Sequence, residues 1–278
     1  MSGLHWLDRP VAPAWARWEG VLLCAVAWAA LLAIPLSMGE LGLGWDALNH
    51  HIYLGWTAEH PRFDRDFVGA GYQSYQAPYL YWPVYRLAVG GWAGVPAAAV
   101  LVTLHLAVLW PLWMLARTCV TGGTVHDAAL RACAMALGLL SVVVLSAFGS
   151  TMNDVLGAAP LLAALALALR PAANPGAMAQ RTALRYVVAS GACAGLAVAL
   201  KLSQGPLAIL LPALWWFAAA GLLARLRAVL AGGAGAVAAF ALAYGPWGWQ
   251  LWRHFGNPLF PFHHHWFAPL RAALGWAG

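Results

Sequence analysis

The stretch Gly44 to Trp56, "GWDALNHHIYLGW", sets one carboxylate, one amide and two imidazoles among aromatic side chains. A carboxylate so placed can take a proton from an attacking hydroxyl, and partial burial beside Trp45 and Trp56 would strengthen it as a base. Read as a helix, the segment puts Asn49 and Tyr53 on the face of Asp46 as orienting partners, with His50 lining the same cleft. The plainer alternative is that Asp46 caps a short helix beginning at Ala47. Three later stretches carry further chemistry: "STMND" with Asp154, "KLSQGP" with Lys201, and "WRHFGNPLFPFHHHWF" with Arg253. A lysine as point charge and an arginine as planar fork both suit a phosphate. Each has its plain reading too. Asp154 complements the dipole at a helix start, and Lys201 and Arg253 snorkel to the headgroups.

The elements that must position these groups follow from composition. Hydrophobic residues make up 63% of the 278 and charged ones 9%, where soluble domains carry about one quarter charged residues. The chain therefore reads as an integral membrane protein. Long Ala/Leu/Val blocks, rather than short alternating strands, make the spans helices, because a bilayer offers no water to unpaired backbone groups. Spans are expected near 20–38, 94–117, 128–148, 153–170, 183–201, 205–224 and 228–250, an all-α polytopic bundle of about seven crossings. The first block lacks a cleavage signature and reads as a retained helix, not a signal peptide. Residues 39–94 form a large first outer loop, whose second half, "APYLYWPVYRLAVGGW", reads as an interfacial or re-entrant helix. The aromatics of "YQSYQAPYLYWPVY" supply either an interfacial belt or a ligand-contacting wall.

With the N-terminus inside, the inner segments hold Arg9, Arg17, Arg117, Arg131, Arg170, Arg181, Arg185, Arg225 and Arg227, as the positive-inside rule expects. The outer side takes Glu40, Asp46, Glu59, Asp64, Asp66 and Asp154. The formal charge of +6 then reflects anchoring to anionic lipid headgroups, and no pattern for nucleic acid accompanies it. Asp46, Asp154, Lys201 and Arg253 all fall on the outer side. His50 and His51 share that side with His263, His264 and His265, yet no metal site is assigned, because adjacent residues point apart and no histidine pair has helical spacing. Cys24, Cys119, Cys133 and Cys193 form no C-x-x-C pair and read as small hydrophobes. Glycine and alanine runs such as "AGGAGAVAAFALA" let helices approach closely.

This arrangement resembles the GT-C superfamily of membrane glycosyltransferases. The likeness rests on an N-in first helix, an acid soon after it in a large outer loop, and a second acidic position between the third and fourth spans. The wording "WDALNHHIY", "NDVLGAAPLLAALALAL", "GLAVALKLS" and "FGNPLFPF" is similar to bacterial membrane proteins carrying such a module. The resemblance implies one domain over 1–278 in the bacterial cytoplasmic membrane, with an extracytoplasmic active site. It implies transfer of a sugar from a polyprenyl-phosphate carrier to a glycan, lipid or protein acceptor, with inversion. It gives Asp46 the place of the first-loop catalytic acid and Asp154 that of the second. Asp46 and Asp154 each stand alone rather than in an acidic pair, which leaves a divalent metal open and no cofactor assigned. Family members continue beyond a seventh helix, so the chain reads either as a minimal member or as the N-terminal part of a longer protein. A lipid or solute transporter, or a non-catalytic subunit of an envelope complex, is the alternative; against transport stands the clustering of polar groups at one face.

Overall fold

Proline in the first turn and an unbroken apolar run give α1, Pro13–Met38, which closes where Gly39 turns left-handed (φ 73°) and its N–H returns to the Pro35 carbonyl. A computed structural model describes residues 5–276 of the chain. After α1 come a π-helical turn, Ala47–His51, which runs into α2, Ile52–Thr57, then a short extended segment, β1, Gly69–Tyr72, and α3, Trp82–Val89. The remaining elements are α4 (Gly94–His105), α5 (Leu109–Cys119), α6 (Val125–Leu139), α7 (Val142–Ala147), α8 (Asp154–Ala173), α9 (Gln180–Leu200), α10 (Gly205–Ala208), α11 (Leu211–Phe217), α12 (Leu222–Phe255) and α13 (Ala268–Ala273).

Five stretches are long and apolar enough to cross a membrane: α1, α4 with α5 as one run (Gly94–Cys119), α8, α9 and α12. The other two expected spans are interrupted helices. In 128–148 the break falls at Ser141, whose hydroxyl accepts from the Val144 N–H and restarts the chain as α7. In 205–224 the helix is cut into α10 and α11, each with proline at its start, where the missing N–H ends the preceding ladder. The second half of the first loop is the eight-residue α3, too short to cross.

Contacts fix the directions of the helices. Trp28 Nε1 donates to Thr103 Oγ1, and Gly20 faces the Trp113 ring, so α1 and the α4–α5 run are antiparallel. Ser190 Oγ donates to the Ala164 carbonyl and Arg170 Nη1 to Tyr186 Oη, which sets α8 against α9. The α9–α12 pair runs parallel and close: a Cβ on Gly191 would meet the Gly232 carbonyl oxygen at 2.0 Å, and one on Gly195 the Ala236 oxygen at 2.0 Å. Small residues here let two backbones touch, the means by which helices associate in lipid. Because α9 and α12 are parallel, the broken segment between them carries the chain back from one rim of the bundle to the other.

The two rims differ. At one, Gly42 N–H donates to the Gly149 carbonyl at 2.7 Å, and Gly42 pairs with Ser150 as an isolated parallel bridge, joining the exit of α1 to the turn before α8. The opposite rim holds Arg117, Arg170, Arg181, Arg185, Arg225 and Arg227. Arg131, expected there as a headgroup anchor, is instead 1% exposed. Its Nε and Nη2 donate to Glu19 Oε1 (2.5 Å) and Oε2 (2.9 Å), and its Nη1 to the Val120 and Gly122 carbonyls. A buried guanidinium is tolerated only with its donors matched in this way.

The loop aromatics are core more than belt. Tyr75, Trp247 and Leu251 are buried in one cluster with Phe63, Phe255 and Phe260 packed on it, and Trp247 Nε1 donates to the Tyr75 carbonyl. Tyr72 and Trp82 remain exposed. All four cysteines are free, with Cys119 and Cys133 exposed rather than buried.

Candidate functional site

The rim on which α1 ends gathers polar groups from separate parts of the chain. Asp46 sits at the head of the π-turn, its side chain 53% exposed and with no capping hydrogen bond, so the cap-only reading finds no support. Partial burial between Trp45 and Trp56 is not what holds it: Trp45 is itself exposed, and Trp56 stacks on His60 instead. Asp46 borders a cleft of about 630 Å³ whose walls include Met38, Trp45, His51, Phe148 and Thr151. The lining is mostly apolar with few polar groups, the usual make-up of a small-molecule site.

The π-turn matters for what surrounds Asp46. An α-helix brings positions i and i+4 together and sends i+5 away, whereas the wider π-turn lets both flank position i. His50 Nε2 is 3.6 Å from Asp46 Oδ1, and one ligand atom from each of Asp46, His50 and His51 lies within 4.8 Å of the others. The expectation that neighbouring histidines point apart therefore fails here for a backbone reason. His50 and His51 are both buried, their rings edge to face at 4.9 Å.

His51 is tied across the rim. Its Nδ1 lies 2.8 Å from Thr151 Oγ1, and its ring faces Tyr81 at 5.0 Å. Burial pushes its pKa down to about 4, helped by the neighbouring His50 and Lys201 side chains and opposed by Asp46 and Asp154. The ring is thus neutral at pH 7. Thr151, which His51 meets, stands three residues before Asp154, so the pair that Asp154 makes with Lys201 lies on the same rim as the Asp46 group.

Lys201 and Asp154 meet directly, Nζ to Oδ1 at 2.5 Å, with Asn153 Oδ1 a second acceptor at 3.4 Å. Asp154 opens α8 without capping it; its partner is the lysine that ends α9. Neither Lys201 nor Asp154 was paired by reading the sequence, although both were placed on one side.

The other expected site residues lie further out. Asn49 is exposed and donates to the Trp45 carbonyl. Tyr53 Oη donates to Asp66 Oδ2 at 3.4 Å, and burial together with that carboxylate raises its pKa. Asn49, His50 and Tyr53 are not walls of the cleft that Asp46 borders. Arg253 is exposed in the last turn of α12 and makes no ion pair among the described residues. The C-terminal histidines are apart from Asp46: His263 stacks on Trp266 at 4.0 Å, and His264 packs on Phe260.

Two groups escaped the sequence reading. Thr151 carries no signal beyond its place in "STMND". His105, 3% exposed in α4 and edge-on to Phe148, was legible as an ionisable residue inside an apolar run.

Among known proteins, no family model, no curated protein and no solved structure matches the chain.

Proposed function

We propose that the chain is a membrane glycosyltransferase of GT-C type, moving a sugar from a polyprenyl-phosphate carrier to an acceptor at the outer face of the membrane. One observation carries the reading: an uncapped, half-exposed carboxylate, Asp46, at the edge of a largely apolar cleft on the acidic rim of a membrane bundle. The arginine-rich rim lies in the cytoplasm, and five long helices with two interrupted ones make seven crossings of the bacterial inner membrane.

Asp46 accepts the proton of the acceptor hydroxyl as its oxygen attacks the anomeric carbon. The bond from that carbon to the carrier's phosphate oxygen breaks, and the polyprenyl phosphate leaves with the electron pair. Attack from the face opposite the phosphate inverts the centre and needs no covalent enzyme intermediate. Lys201 has three N–H donors; Asp154 and Asn153 take two, leaving one for the departing phosphate. Asp154 holds the lysine at the rim, and Arg253 is a second cation for the phosphate. His51 and Thr151 fix the wall beside the acceptor, with Asn49 and His50 supporting the turn and Tyr53 tying the helix that follows it to Asp66.

The test is reconstitution of the purified chain in vesicles holding a radiolabelled polyprenyl-phosphate sugar pool and an acceptor extract. Label leaving the lipid for the acceptor supports transfer. Label crossing the bilayer still attached to its lipid would replace transfer by transport, and no change in the label would leave only the partner-subunit reading.

A further inference from the structure

We infer that Asp46, His50 and His51 form a binding site for a divalent transition-metal ion of the zinc class, with Thr151 as its outer support. The inference is independent of the transfer reaction and rests on the π-turn. That turn gathers a carboxylate and two imidazoles from six consecutive residues, with ligand atoms within 4.8 Å of one another. Tetrahedral zinc with bonds of about 2.0–2.1 Å needs ligand atoms about 3.4 Å apart. The Asp46–His50 pair, at 3.6 Å, is already near that spacing. The remaining spacings, up to 4.8 Å, need small turns of the two imidazole rings as well as of the half-exposed Asp46 side chain.

The chemistry of the set matches the ion. Two neutral imidazoles and one carboxylate are borderline ligands that suit zinc better than magnesium or calcium, which prefer oxygen alone. In the tautomer that leaves Nε2 of His51 free to bind, its Nδ1–H donates to Thr151 Oγ1 at 2.8 Å. A ligand histidine usually donates its other ring N–H to an outer acceptor, most often a carboxylate, backbone carbonyl or water, and here the Thr151 hydroxyl takes that place. Three protein ligands leave a fourth position open. Asp46 and His51 also wall the cleft, so the open position borders it.

Binding occupies one oxygen of Asp46 and withdraws charge from the other. Zinc is therefore expected to slow any reaction in which Asp46 is the base.

The experiment uses the full chain in detergent, purified on a tag without histidine, stripped with a chelator and titrated with Zn²⁺ alone. No donor or acceptor is present, so a failure of the transfer reading leaves the result untouched. The expected result is one Zn²⁺ retained per chain after gel filtration, with Co²⁺ giving the visible absorption of a four- or five-coordinate site. Thr151→Val, which removes only the outer hydrogen bond, should weaken zinc about tenfold or more. Asp46→Asn and His50→Ala should each weaken it further. A triple variant, His263→Ala with His264→Ala and His265→Ala, should bind as the native chain does. Asp46 is half exposed, so its variant remains informative if a histidine variant fails to fold. The inference is overturned if the native chain retains no zinc, if Asp46→Asn binds as tightly as native, or if only the C-terminal triple variant loses the metal.

Discussion

Lys201 Nζ meets Asp154 Oδ1 at 2.5 Å, joining the end of α9 to the start of α8 and setting a charge pair on the rim where His51 meets Thr151. The two side chains are unequally covered, with Lys201 21% and Asp154 60% exposed. Exposed pairs contribute about 0–1 kcal/mol, so the pair's value lies in position rather than stability. Asp154→Asn is expected to leave thermal unfolding in detergent nearly unchanged while lowering sugar transfer, because Lys201 is no longer held at the rim. A large loss of stability together with unchanged transfer would reverse that assignment.

At the opposite end, the Arg131–Glu19 pair carries stability. Removing one partner of a buried, fully bonded ion pair costs about 3–5 kcal/mol, because the other charge stays buried and unmatched. Glu19→Ala should therefore abolish the monodisperse peak in size-exclusion chromatography. Glu19→Leu combined with Arg131→Met should recover much of it. A Glu19→Ala chain as stable as the native one would contradict the pairing.

The α9–α12 contact gives a sharper steric prediction. Gly195→Ala places a methyl 2.0 Å from the Ala236 carbonyl oxygen, and backbone cannot yield as a flexible side chain would. The variant should lose folded yield, whereas Gly233→Ala, with nothing within 4 Å of its added Cβ, should not. Equal yields from the two would mean that these helices are not in contact there.

The Ser141 restart of α7 can be tested in the same way. Ser141→Ala removes the hydroxyl that accepts from the Val144 N–H, a loss of about 1 kcal/mol for a helix cap. Because α7 leads into the turn that carries Thr151, hydrogen exchange of residues 142–151 should speed up while that of α9 stays unchanged. Uniform exchange across both segments would show that the break has no local effect.

The sequence made the long helices legible because runs such as Pro13–Met38 are long and apolar throughout, and lipid leaves such runs one backbone solution. It also put Asp46, Asp154 and Lys201 on one side, since alternate span ends must meet. Hydropathy could not reveal the breaks at Ser141 and at the prolines of α10 and α11, because a capped restart and a continuous helix are equally apolar. Arg131 lies at the arginine-rich end, as the charge pattern expects, but it is buried on Glu19, an acid within the first apolar helix, rather than facing headgroups. The π-turn left no trace in "DALNHH": regular helical spacing joins Asp46 to His50 but excludes His51, and only the widened turn admits it. Thr151 and His51 are 100 positions apart, so their bond is a product of packing alone.

On the proposed mechanism, Asp46 is the base of the transfer reaction at this rim. The most direct measurement compares transfer from a labelled polyprenyl-phosphate sugar pool by the native chain and by Asp46→Asn, matched for expression and for size-exclusion profile. Asparagine keeps the shape but cannot take a proton, so transfer should fall about a hundredfold or more, as expected for loss of a general base. Transfer by Asp46→Asn within about twofold of native, well short of the loss expected for a missing general base, would mean that Asp46 is not the base.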